Sequence, residues 1–312
     1  MELIIDVILK AGRAGVELAF FTLLPVMIVM LTLMRLLEAR GVLDWLVVRI
    51  APALKPLGLS GMGVFAALQI NFVSFAAPMA TLTMMEQRGA SDRQLAATLA
   101  MVMAMAQANV TLPMASLGLQ VGWVLLWSFV GGLMAAAATW HFFGRHLSAS
   151  APESDALPAH AQAVGAKGVL AIINHAGAEA FKIAVGAIPM LVLALVFVNA
   201  LRALGVIDAM TSALTPLLAL LHLDPAYLLP AFTKYIAGGT AMMGVMDDML
   251  RHGQTSLASF NRAAGFLINP FDVAGVAVLM SAGPRVAKVW KAAAGGAVVG
   301  IALRCVGHLL VL

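Results

Sequence analysis

Hydrophobic positions along this chain fall in long runs separated by short polar interruptions. Four runs, Gly15 to Leu37, Gln120 to Phe142, Ile183 to Leu204 and Val286 to Leu309, are long enough to cross a bilayer, which takes about 20 apolar residues in a helix. Two more stretches, Asp92 to Leu117 and Thr255 to Ala282, have the length but are interrupted. Gln107, Asn109, Thr111 and Pro113 break the first; Asn269, Pro270 and Asp272 break the second. Proline removes a backbone donor and disfavours helix in the residue before it. Both stretches therefore read as broken transmembrane helices, whose freed carbonyls must face protein, water or a ligand. Between each first crossing and its broken helix lie two further elements. Gly41 to Pro56 and Gly205 to Leu223 mix apolar and polar residues as a helix lying in the membrane interface does. Ser60 to Arg88 and Pro225 to Arg251 are cut at Gln69-Ile70-Asn71 and at Thr233-Lys234-Tyr235 with Gly238-Gly239. Their arms, about 10 to 15 residues, are too short to span, so they read as re-entrant helical hairpins.

The pattern occurs twice. Pro25, Gly41, Val42, Asp44, Pro52, Leu57 and Leu59 recur 164 residues later as Pro189, Gly205, Val206, Asp208, Pro216, Leu221 and Leu223. Prolines and glycines set kinks and turns, so the same bends are expected in both halves. The expected organisation is a first repeat over residues 1–142, a flexible cytoplasmic linker over 143–167 and a second repeat over 168–312. Each repeat holds three crossings, an odd number, so the halves run oppositely through the membrane. The expected fold is thus an all-α polytopic membrane protein, an inverted repeat with two re-entrant hairpins and two broken transmembrane helices.

Composition sets the solvent. Hydrophobic residues are 62% of the 312 and charged residues 11%, and mean hydropathy is +0.96, which a water-facing globular surface could not tolerate. The net charge of +4 fits loops facing an anionic leaflet and calls for no nucleic-acid partner. If the hairpins turn back, twelve of the 19 Lys and Arg residues fall on one side and six on the other, with Lys234 buried. The positive-inside rule then puts Arg88 and the linker in the cytoplasm and both termini outside, in a bacterial-type inner membrane. Cys305 is the single cysteine, which excludes an intrachain disulfide and a thiolate metal cluster. The first ten residues lack the design of a secretory leader, and the N-terminus reads as continuous with the first helix.

Polar residues inside apolar segments are costly, and here they gather at the two hairpin turns and two helix breaks. The clusters are Gln69, Asn71 and Ser74; Gln107, Asn109 and Thr111; Thr233, Lys234 and Tyr235; Asn269 and Asp272. Such convergence is expected of a midplane site at a repeat interface; the alternative is that the amides and hydroxyls only join helices. The first half offers neutral amides suited to a planar polar group such as a base edge. The second offers charge: Lys234 and Asp272 are expected to approach one another, since an unpaired ion at that depth is expensive, as a functional pair or as one that only pins the hairpin. Asp247 and Asp248 point about 100° apart on a helix, so one of them is a candidate contact for Lys234 or a coupling cation. Glu17 and Glu179 read as interfacial carboxylates with Arg13 and Lys182 one turn away. The seven histidines have no metal-binding spacing, and no nucleophile elbow, phosphate loop or HExxH occurs, so no catalytic residues and no metal site are expected.

The order of elements resembles the core of concentrative nucleoside transporters. The strings from Asn71 to Pro78 (NFVSFAAP) and from Lys234 to Thr240 (KYIAGGT) are similar to those of nucleoside-recognition, or gate-domain, membrane proteins, a group that includes spore maturation proteins. The resemblance implies base and cation roles for Gln69, Asn71, Gln107, Asn109 and Thr111, and sugar roles for Thr240, Asn269 and Asp272. It also implies no cofactor beyond a coupling ion, sodium or proton. This chain departs from the transporters in lacking an acid in hairpin one and in carrying Lys234, which could stand in for a coupling cation or bind an anionic solute. The expected function is a secondary transporter moving a small polar solute, such as a nucleoside or nucleobase, by alternating access; the competing reading is a non-transporting regulatory or assembly component. Its partners are the lipid bilayer and the solute. Gly131-Gly132 and Gly295-Gly296 permit close helix packing, within the chain or in a homo-oligomer.

Overall fold

The computed structural model describes residues 2–150, 168–206, 209, 212–213 and 225–311. The linker from residue 151 on and most of the expected second interfacial helix, with Asp208, Pro216, Leu221 and Leu223, lie outside them. No strand occurs among the described residues.

The first crossing is longer than its apolar run. Helices α1 (Glu2–Glu17) and α2 (Leu24–Ala39) continue into one another through a π turn at Leu18–Leu23. Pro25 cannot donate to the carbonyl one turn back, and widening the preceding turn absorbs that mismatch. After Gly41, at φ 69°, α3 (Val42–Leu54) lays Leu43, Val47 and Ala51 on α4 (Gly61–Phe72) while leaving Trp45 exposed.

The chain leaves the helix at residues 73–76, later than the expected cut at 69–71, and resumes as α5 (Ala77–Gln87) with Pro78 in its first turn. Thr81 Oγ1 donates to Gln69 Oε1 at 2.7 Å. In a continuous helix these residues would stand about 18 Å apart, so the chain turns back on itself here. Then follow α6 (Asp92–Ala104), opened by a capping box between Ser91 and Gln94, α7 (Ala108–Met114) and α8 (Val121–Ala138).

The second half begins with the 35-residue α9 (Val169–Ala203), longer than the expected Ile183 to Leu204. It continues with α10 (Leu228–Ala237), α11 (Gly239–Arg251), α12 (Leu257–Leu267), α13 (Val273–Met280), α14 (Pro284–Lys288) and α15 (Trp290–Val311). The expected cut at 233–239 falls at Gly238 alone, at φ 90° and ψ 171°; Thr233, Lys234 and Tyr235 remain helical.

Among the described residues, five helical stretches are long and apolar enough to cross a membrane: 7–39, 92–117, 121–143, 169–201 and 290–310. The expected sixth, 255–282, is split by its break into helices of 11 and 8 residues. Helix α6 is the centre of the molecule, buried at every residue from Leu95 to Ala104, with α8 and α15 packed around it. A Cβ on Gly131 would meet the Gly300 carbonyl, and one on Gly300 would meet that of Gly131, so α8 and α15 touch backbone to backbone. The glycine pairs therefore pack within the chain. Likewise α1, α2 and α9 close through Ala19, Ala176, Ala180 and Ala184, with Gly15 against Val192.

Candidate functional site

Helix α6 ends because Met105 turns to extended backbone, at φ −77° and ψ 158°, and helix resumes only after Gln107. The groups this frees are met by protein. The Ala106 N–H donates to Ser128 Oγ at 2.7 Å, and Ser128 donates on to Asn71 Oδ1 at 2.6 Å. Arg304, wholly buried in α15, donates to the Ala104 carbonyl at 2.6 Å. Asn109 accepts the Phe75 N–H at 3.1 Å, joining this break to the turn between α4 and α5.

The second break, from Ile268 to Asp272, is held by its own side chains. Asn269 donates to the Phe266 carbonyl at 2.9 Å and accepts from the Phe271 N–H at 3.1 Å. Asp272 caps α13, its Oδ1 accepting the Gly275 N–H at 2.7 Å, while its Oδ2 receives Lys234 Nζ at 2.5 Å. The Lys234 and Asp272 side chains are 0% and 3% exposed. A carboxylate and an ammonium are tolerated there because each neutralises the other.

Gly239 brings the halves together. A Cβ there would run into the Gln107 side chain, which reaches across to the Asn269 carbonyl at 3.4 Å. Around this crossing lies a cavity of about 410 Å³. Phe75, Gln107 and Asn109 line it from the first half, Gly238 to Thr240, Asp272 and Gly275 from the second, and Leu23, Lys182, Ile183 and Gly186 from the long helices. Lys182 and Ile183 also line a larger cavity, about 630 Å³, between α2, α4, α5 and α9, where Arg35, Glu38, Gln69, Ser74 and Glu179 stand.

Of the candidate residues, Gln107, Asn109, Thr240 and Asp272 line the central cavity, and Gln69 lines the larger one. Lys234 stands behind Asp272. The others are placed elsewhere. Asn71 is buried in the Ser128 network and donates to its own helix at Ala67; Thr111 is buried with its hydroxyl unpartnered among the described residues. Thr233 donates to the Leu229 carbonyl one turn back, Tyr235 is 37% exposed, and Asn269 staples its own break. Neither adjacent aspartate meets Lys234: Asp247 accepts from Arg251 at 2.9 Å, and Asp248 lies 3.3 Å from His252. Glu17 and Glu179 pair across helices, with Arg251 at 3.5 Å and with Arg35 at 2.9 Å. Among the described residues no group of three or more His, Cys, Asp or Glu could hold a metal.

Lys182, which the sequence reading named only as the neighbour of Glu179, lines both cavities. The signal was present: an ionisable residue at the edge of an apolar run marks a water-filled cavity or a functional site.

A family model described as Gate, nucleoside recognition, matches residues 20–138. The whole fold is similar to solved structures of CNTnw, a concentrative nucleoside transporter. In an inward-facing substrate-bound state CNTnw aligns with a TM-score of 0.68 at 16% identity, over 99% of this chain and 84% of that one. A variant in an outward-facing state gives 0.65 at 16%, over 99% and 83%, and a variant in an intermediate state 0.66 at 16%, over 98% and 83%. No functionally curated protein matches the sequence significantly. The chain thus has the fold of a concentrative nucleoside transporter, and its residues 20–138 carry the sequence pattern of the Gate nucleoside-recognition family.

Proposed function

We propose that the protein is a secondary membrane transporter that carries a small polar solute through the central cavity by alternating access. The observation that carries this reading is the meeting of both helix breaks and both chain turns, one of each from either half, around one cavity of about 410 Å³. That volume falls in the range of small-molecule sites, and its lining combines apolar walls with a few convergent polar groups, as such sites do.

The two halves are read as inverted repeats over 1–142 and 168–312, and the turns at 73–76 and Gly238 as the tips of re-entrant hairpins. In support, Gly41 and Gly205, 164 residues apart, share a left-handed φ of 69° and 68°. Broken pairs of short helices occupy matching places in each half, opened by capping serines at Ser91 and Ser256. The larger cavity lies at the Arg35 and Glu179 end, which the charge distribution puts in the cytoplasm, so this conformation is read as open inward. Gln107 and Asn109 are the residues we assign to a planar group such as a nucleobase edge. Among the described residues Asp272 is the one carboxylate that lines the central cavity, and Lys234 already neutralises its charge, which weakens its hold on a coupling cation.

The test is uptake into vesicles holding the purified chain, screened over nucleosides, bases and their anionic relatives, alongside solute-dependent thermal stabilisation. Saturable uptake that Gln107→Ala weakens without lowering the melting temperature is the expected result. A folded protein that neither takes up nor is stabilised by any of them overturns the reading.

A further inference from the structure

The central cavity is lined by a lysine that forms no ion pair among the described residues. Of the two charged residues that line it, Asp272 is neutralised by Lys234, which stands behind it. Lys182 remains. Glu179, three residues earlier on the same helix, is its natural partner, but Arg35 of α2 holds Glu179 at 2.9 Å and also reaches Glu38 at 2.9 Å. Lys182 is exposed, has no ion pair among the described residues, and stands where the two cavities join.

The neutral groups are arranged just as specifically. Gln107 is 3% exposed and uses its Nε2 on the Asn269 carbonyl, leaving Oε1 as an acceptor; Asn109 is 5% exposed and uses its Oδ1 on the Phe75 N–H, leaving Nδ2 as a donor. Both free ends belong to side chains that line the cavity and meet no other described residue. An acceptor and a donor are thus presented side by side to whatever fills the cavity, water or solute.

We propose that the solute is a small organic anion: a planar donor–acceptor edge pairs with Gln107 and Asn109, and a carboxylate or similar acidic group pairs with Lys182. The inference rests on the carrier reading above and adds the charge class of the cargo. A solute entering the cavity displaces the water that solvates Lys182, so an anion restores the lost interaction and a neutral analogue does not. Lys182 acts in specificity and in drawing the solute toward the junction of the cavities.

Matched acids and primary amides test this directly: orotate with orotamide, nicotinate with nicotinamide, and N-acetylalanine with its amide. Each is titrated against the purified full-length chain at neutral pH, for the wild type, Lys182→Gln and Lys182→Arg. Lys182 has no described partner, so unliganded melting temperature checks that the variants are folded. The wild type is expected to bind the acid of at least one pair about tenfold more tightly than its amide, a ratio that shrinks at high salt. Lys182→Gln brings the ratio to about one, and Lys182→Arg keeps most of it. Amides binding the wild type as well as acids do, or a ratio that survives Lys182→Gln, overturns the proposal and leaves the carrier reading standing. Binding of neither member of any pair overturns the anion proposal, while the carrier reading stands or falls by the nucleoside and base screen above.

Discussion

Lys234 Nζ lies 2.5 Å from Asp272 Oδ2, with both side chains shut away from solvent, at the point where the last turn of α10 meets the first turn of α13. The same carboxylate caps α13 through the Gly275 N–H, so one aspartate fixes a helix start and a helix end together. Removing either partner strands the other's charge in the interior. Lys234→Met is expected to destabilise the protein by about 3–5 kcal/mol, and Lys234→Met with Asp272→Asn by much less than the sum of the single changes. Thermal melts of the four proteins in one detergent measure the cycle; additive losses would show that the pair does not act as a unit.

Gly239 lets the Gln107 amide pass. Gly239→Ala places a methyl against the free end of a flexible side chain, so folding changes little while the Gln107 hydrogen bond to the Asn269 carbonyl is lost. Solute affinity is expected to fall about tenfold, as in Gln107→Ala, and the double variant to be no worse than Gln107→Ala alone. Titration of a bound solute checks this, and a further drop in the double variant would contradict it.

Glycines differ in what surrounds them. A Cβ at Gly300 would meet the Gly131 carbonyl, whereas one at Gly177 would meet nothing within 4 Å. Gly300→Ala is expected to cost about 1–3 kcal/mol by forcing α8 and α15 apart. Gly177→Ala is expected to be neutral or to stabilise α9 by up to about 1 kcal/mol. Melting temperatures in the same detergent rank the two.

Arg35 keeps Glu179 away from Lys182. Arg35→Gln releases that carboxylate to a lysine three residues along the same helix face, so the preference for acids over amides should fall without any change in the central cavity. Arg35→Gln with Glu179→Gln should restore it. The acid-to-amide affinity ratio in the two variants is the measurement, and an unchanged ratio in Arg35→Gln would contradict the charge account.

The sequence exposed the framework because prolines, glycines and buried polar residues act locally. The two helix breaks, the two turns, the recurrence at 164 residues and the approach of Lys234 to Asp272 all follow from what such residues do to a helix in an apolar medium. The position of each turn was less legible. Gln69 and Asn71 do not end α4, since an amide can be satisfied inside a helix, as Asn71 is by the Ala67 carbonyl; the helix stops later, at Val73. Which polar side chains face the cavity depends on neighbours distant in sequence. Asn71 is claimed by Ser128 of α8, and Lys182 is set free because Arg35, from the other half, takes Glu179.

The central claim is that solute occupies the space where the two breaks and two turns meet, and thiol chemistry at Thr240 tests it most directly. In a Cys305→Ser background, Thr240→Cys in membranes should react with a water-soluble thiol reagent, and a solute that stabilises the protein should slow that reaction in proportion to its occupancy. A cysteine at Thr240 that stays inert, or one whose labelling rate is the same with and without a saturating solute, would contradict the account.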